Sequence, residues 1–212
     1  MKFVSQKLLS MCLVGATLGA ALSACAPVML GGAVMGSLVA TDRRTSGAQL
    51  EDEGIELRAA NRIRDNLGER GHINVNSYNR RVLLTGEVPS AQDKQLVEQI
   101  VTRVDNVQTV VNELAVLGNS TLTQRSSDTL VTGRIKAAVL DAKDLFSNAF
   151  KVVTERGTTY LMGRVTQREA DRATEIARST PGVQKVVRVF EIISEEELRN
   201  QLPQPAPAET KK

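Results

Sequence analysis

Between residues 50 and 193 the apolar positions follow one rhythm that is then repeated. In the first pass Ile55, Ala59, Ile63 and Leu67 fall at helical spacing. Two short β-type runs follow, meeting at the polar pair Asn79-Arg80 and ending in Gly86-Glu-Val88. Ser90 and Asp93 stand in capping-box register ahead of a helix carrying Leu96, Ile100 and Val104, and a Val-rich strand runs from Val107 to Val116. The second pass reads the same way. Val131, Ile135, Ala138 and Val139 mark a helix starting near Asp128, and Arg156-Gly157 is the turn. Gly163-Arg-Val165 ends the second strand, and Thr166 and Glu169 precede a helix carrying Ala170, Ala173 and Ala177. Val183 to Ile193 closes the unit. Val75 lies over Val152, Leu84 over Leu161, Gly86 over Gly163 and Val88 over Val165, with a short insertion in the second copy around Asp144 to Asn148. The pattern predicts αββαβ twice, with a linker at about Leu117 to Ser127.

The flanks read differently. Lys2 and Lys7 precede an apolar stretch from Leu8 to Ala21, followed by Leu22-Ser23-Ala24-Cys25, the layout of an export signal over residues 1–24. The ending resembles the lipobox of bacterial lipoproteins. That resemblance implies cleavage before Cys25, a diacylglyceryl group on its thiol and acylation of the new amino group, with palmitate as a typical acyl chain. Two or more chains anchor a protein stably where one does not. The alternative is an uncleaved membrane helix from Leu8 to Ala40, against which Pro27, Gly31, Gly32 and Gly36 weigh. Residues 25–49 read as a lipidated N-terminus and tether. Residues 194–212 read as a short helix, with Ser194 and Glu197 in capping register, followed by a disordered Pro-rich tail.

The doubled pattern resembles the BON domain, a small αββαβ module of bacterial envelope proteins. Its most specific pieces are the Gly-x-Val strand ends and the run Tyr160-Leu-Met-Gly-Arg-Val-Thr-Gln-Arg-Glu-Ala170. The resemblance implies an α+β fold of two tandem domains, 50–118 and 126–193, each with two helices packed on a three-stranded mixed sheet. With the lipobox and Thr41-Asp-Arg-Arg-Thr-Ser-Gly-Ala-Gln49, the chain is similar to dual-BON outer-membrane lipoproteins. For those, the resemblance implies binding of anionic phospholipid (phosphatidylglycerol, cardiolipin) through the second domain, gathering at division sites, support of envelope integrity and no catalytic role. By resemblance to proteobacterial lipoproteins, Ala26 after the anchor, rather than an acidic residue, implies release to the outer membrane, with the body facing the periplasm.

In that family the first helix of the second domain is implied to dip into the membrane. At 100° per residue, Leu130, Gly133, Ala137 and Leu140 point away from Val131, Ile135 and Val139, with Arg134 and Lys136 on the flanks. Leu130, Arg134, Lys136, Ala137 and Leu140 are therefore the candidate phospholipid-binding residues. The family typically has Trp where this chain has Leu130. The first copy points Arg58, Arg62 and Asp65 outward. Residues 50–117 hold 8 basic and 11 acidic side chains (−3), residues 126–193 hold 11 and 8 (+3), so charge also favours the second copy at an anionic surface. The alternative is an adaptor docking an envelope protein, with lipid only as anchor.

Composition narrows the chemistry further. The formal charge is +3, or +1 without Lys2 and Lys7, with no basic stripe for nucleic acid. The chain has one histidine and two cysteines, and Cys12 lies in the removed segment. Metal and Cys/His nucleophile sites are not expected, and no cofactor is implied. His72 reads as a surface residue, the scattered Asp and Glu as solvated charge, and Asp42-Arg43-Arg44 as a solvated linker, with contact to lipid headgroups or a partner as the alternative.

Overall fold

The computed structural model describes residues 42–201, so the export segment, Cys25, the tether up to residue 41 and the Pro-rich tail lie outside the described residues. The first domain runs α1 (Ser46–Leu67), β1 (His72–Tyr78), β2 (Arg81–Val88), α2 (Ala91–Thr102), β3 (Thr109–Asn112) and β4 (Ala115–Val116). The second runs α3 (Leu122–Asp141), a single 3₁₀ turn (Ser147–Ala149), β5 (Phe150–Glu155), β6 (Thr158–Val165), α4 (Gln167–Ser179) and β7 (Lys185–Ile192), and a terminal helix α5 (Glu195–Gln201) follows. In each domain the first two strands form an antiparallel hairpin and the last strand pairs parallel to the second. The fold is the mixed α+β pair of αββαβ units that the doubled rhythm predicts.

Three differences from the sequence reading have local causes. Helix α1 starts at Ser46 because Thr45 caps it, accepting a hydrogen bond from Ala48 N at 3.1 Å. Helix α3 starts at Leu122 rather than near Asp128, because Thr121 and Gln124 complete a capping box there. The last strand of the first domain is broken into β3 and β4, with Leu114 tucked into the core at the break. In α2, Val97 and Val101 are the most deeply buried residues, with Leu96 and Ile100 only partly covered.

Both hairpins turn through two successive residues at positive φ: Asn79 (50°) and Arg80 (64°), then Arg156 (50°) and Gly157 (73°). That is the type I′ geometry whose twist suits a two-residue hairpin. The Gly-x-Val strand ends have a steric origin. A Cβ on Gly86 would lie 2.0 Å from the His72 carbonyl oxygen, and one on Gly163 would lie 2.4 Å from that of Ala149.

Strands of both sheets carry apolar residues on both faces, and the period of two assigns each face. Val82, Leu84 and Val88 pack under α1 and α2, as Val152 and Leu161 pack under α3 and α4. On the opposite faces Tyr78 and Leu83 meet Tyr160, Met162 and Val189 in a shared cluster, with Val111, Val153 and Val187 against it. The two sheets thus lie face to face, with the helix layers on opposite outer sides. Both tyrosines of the chain sit in this seam.

Candidate functional site

The outward face of α3 is apolar from Leu130 to Leu140, with exposed Ser126 in the same sector nearer its start. Leu130 and Leu140 are 63% and 70% exposed, and Gly133 and Ala137 between them are exposed too. Because the helix starts six residues earlier than the periodicity suggested (122 against 128), Leu122, 80% exposed, joins the same side. At 100° per residue all five fall within a sector of about 80°, and Leu122 to Leu140 spans about 27 Å. Arg134 and Lys136 flank this stripe and are exposed. Arg134 donates to the Pro181 carbonyl oxygen at 3.3 Å, and no carboxylate pairs with either cation among the described residues. Asp141, the last residue of the helix, is its one exposed carboxylate.

The first domain contrasts less than its sequence suggests. Arg58 and Arg62 fold back onto Glu51 and the Arg103 carbonyl oxygen, and α1 exposes Leu50 (69%) and Leu57 (64%). Those two leucines lie only about 10 Å apart along the axis, in a sector shared with Glu53 and Arg64, which are also exposed.

Charges read as solvated are instead built into the fold. Asp52 on α1 is buried and accepts the Asn79 and Arg80 amides at 2.7 and 2.8 Å, locking the first turn. Asp128 on α3 does the same for Arg156 and Gly157, at 2.8 and 2.9 Å. Burial pushes the Asp52 carboxyl up, but the Ser77 hydroxyl, the two turn amides and Arg44 outweigh it and hold it below its ordinary value. Asp42-Arg43-Arg44 is no solvated linker. Arg43 forks onto Glu169 at 2.6 and 2.7 Å, with side chains 6% and 0% exposed. Arg44 bonds Asp42 and Asp52 and lies 4.1 Å over the Tyr78 ring. These three residues therefore strap the first domain to the second. Against the pull of burial, Arg43 and the Thr166 amide hold Glu169 below its usual value.

The opposite end of the seam corrects the reading of His72. Its side chain, 22% exposed, points at Glu87, which is fully buried and takes hydrogen bonds from Arg156 at 3.0 Å and from Ser120 N at 3.1 Å. Glu155, also buried, accepts from Asn74 across the seam at 2.9 Å. One ligand-type atom from each of His72, Glu87 and Glu155 falls within 4.8 Å of the others. The repeat alignment carried a missed signal here: the middle residue of Gly-x-Val is Glu87 in one copy and Arg164 in the other, and each faces the partner domain's sheet.

The BON domain family matches this chain twice, at residues 51–118 and 127–194. The chain belongs to the BON domain family. Among curated relatives, the outer membrane lipoprotein DolP of Haemophilus influenzae is 35% identical over 183 residues, covering 85% of this chain and 94% of that one. A 21 kDa hemolysin of Actinobacillus pleuropneumoniae is 32% identical over 154 residues, covering 72% and 79%. This is a dual-BON protein of the DolP type, and α3 is the first helix of its second BON domain. Cys25, the expected acylation site, lies outside the described residues.

Proposed function

We propose that this protein is a non-enzymatic envelope lipoprotein, anchored through Cys25 in the outer membrane and facing the periplasm, whose second BON domain binds anionic phospholipid through α3. The observation that carries the reading is the outward stripe Leu122–Leu130–Leu140, flanked by the cations Arg134 and Lys136. An apolar face edged with positive charge suits the boundary between headgroups and acyl chains. No described helix is long and apolar enough to cross a membrane, so contact would be peripheral. Inserting three leucines contributes about 4 kcal/mol in all, and two cations near an anionic surface add about 2 kcal/mol. The sum corresponds to a Kd on the order of tens of micromolar, useful because the anchor supplies high effective concentration. Envelope integrity, with placement at division sites, is the role proposed for this contact. Likeness to a protein named an outer membrane lipoprotein supports the location.

The exposed pair Leu50 and Leu57 on α1 favours a second reading, an adaptor that docks an envelope protein. Vesicle titration separates the two. A chain starting at Ala26 is expected to bind phosphatidylglycerol vesicles in a salt-sensitive way, at least about tenfold more weakly as Leu130→Glu, and unchanged as Arg62→Ala. Absence of vesicle binding would refute the lipid reading.

A further inference from the structure

The seam between the domains is closed by different chemistry at its two ends. At the strap end Arg43 and Arg44 hold Glu169 and Asp52, and guanidinium groups stay charged at every physiological pH. At the other end the charged groups are His72 and Glu87 from the first domain and Glu155 and Arg156 from the second, with Glu113 bonded to Tyr160 beside Glu155 and Arg125 donating to the Ser120 hydroxyl at 3.1 Å. Asp128 stands behind them, its oxygens taken by the Arg156 and Gly157 amides. Asn74 and Ser120 supply neutral donors. The one guanidinium in direct contact with the buried carboxylates is Arg156, which pairs with Glu87 and not with Glu155. His72 Nδ1 is buried without a hydrogen-bond partner, 3.4 Å from Glu87 Oε2. Both Glu87 oxygens already accept hydrogen bonds, Oε1 from Arg156 and Oε2 from Ser120.

We propose that the His72–Glu87–Glu155 cluster is a proton-binding latch: between neutral and mildly acidic pH it takes up one proton and tightens the docking of the two BON domains at that end. Burial pushes the Glu155 carboxyl up, and Glu87 and Asp128 add to the rise against His72 and Asn74. An acid whose folded value is raised stabilises the docked state below its free value and loses that contribution as pH rises through the folded one. Acid therefore closes this end of the seam, while the strap end stays fixed.

Tyr78 and Tyr160 are the chain's only tyrosines, it has no Trp, and both lie in the seam, so intrinsic fluorescence reports docking. The test is urea unfolding of the full chain in detergent micelles, without a histidine tag, at pH 7.5 and 5.5. The folding constant of the unmodified chain is expected to be about tenfold larger at pH 5.5, out of a one-proton ceiling of about tenfold per pH unit. In His72→Gln and Glu155→Gln the ratio is expected to fall below about threefold. An equal pH response in all three chains, or a weaker fold at pH 5.5 in the unmodified one, would overturn the latch. Should the variants fail to fold, NMR of the unmodified chain decides. Titration of the single histidine ring together with the Asn74 side-chain amide supports the latch, and titration of the ring alone refutes it.

Discussion

Changing Asp52 to Asn keeps the shape of the side chain and removes one oxygen and the charge. Oδ1 accepts the Ser77 hydroxyl at 2.6 Å and the Arg80 amide at 2.8 Å, while Oδ2 accepts the Asn79 amide at 2.7 Å and an Arg44 nitrogen at 2.8 Å. With the amide nitrogen in the Oδ2 place, the Asn79 amide and an Arg44 nitrogen face an NH₂; in the Oδ1 place the Arg80 amide goes unmet, the Ser77 hydroxyl turns to accept, and Arg44 keeps only a neutral oxygen. Hydrogen bonds to a charged group contribute about 1.5–3 kcal/mol each, so at least one lost bond and the loss of charge from those that remain cost about 3–4 kcal/mol together. Against the roughly 5–15 kcal/mol typical of whole domains that is a large share. With a urea slope near 2 kcal/mol per molar, the midpoint is expected to drop by about 2 M in urea unfolding followed by circular dichroism. The pH dependence carries a sign. Asp52 is held below its ordinary value, so its contribution is present above the unfolded value near 4 and is lost as pH falls through the lower folded value. The gap between the two chains should stay constant from about pH 5 to 8 and narrow only in stronger acid. A midpoint shift under about 0.5 M would refute the view that Asp52 locks the hairpin turn.

Two further substitutions probe the same framework. Arg80 holds φ 64° where the second copy has Gly157 at 73°, so Arg80→Gly is expected to raise stability by about 1 kcal/mol in the same urea assay. Gly86→Ala places a Cβ 2.0 Å from the His72 carbonyl oxygen at φ 110°. It should cost at least about 2 kcal/mol and depress the thermal midpoint by several degrees.

Much of this architecture was legible from apolar spacing. Ile55, Ala59, Ile63 and Leu67 are all buried, as are Val131, Ile135 and Val139, because a helix on one sheet face must show that period. The turn pairs were legible too, since each is flanked by strand-forming runs. The seam was harder. Val82-Leu83-Leu84 and Tyr160-Leu161-Met162 are apolar on both faces, which signals a covered second face without naming its cover. Helix α3 lengthened past Asp128 because its first turn, Leu122 to Arg125, is fixed by a cap at Thr121 rather than by core residues. Asp42-Arg43-Arg44 looked like any charged linker, since its partners lie far along the chain at Asp52 and Glu169. His72 and Glu155, 83 positions apart (155 − 72), meet only because the sheets stack.

A chain starting at Ala26 contains no cysteine, because Cys12 and Cys25 are the only two, so one introduced thiol can carry an environment-sensitive fluorophore at a chosen place. Gly133 on α3 is exposed with nothing within 4 Å of an added Cβ, and Asn61 on α1 is exposed on the opposite outer side. With phosphatidylglycerol vesicles, a probe at Gly133→Cys should shift to the blue and be quenched by brominated acyl chains, while one at Asn61→Cys stays in water. Equal responses at the two positions, or quenching at Asn61→Cys alone, would contradict lipid contact through the second BON domain.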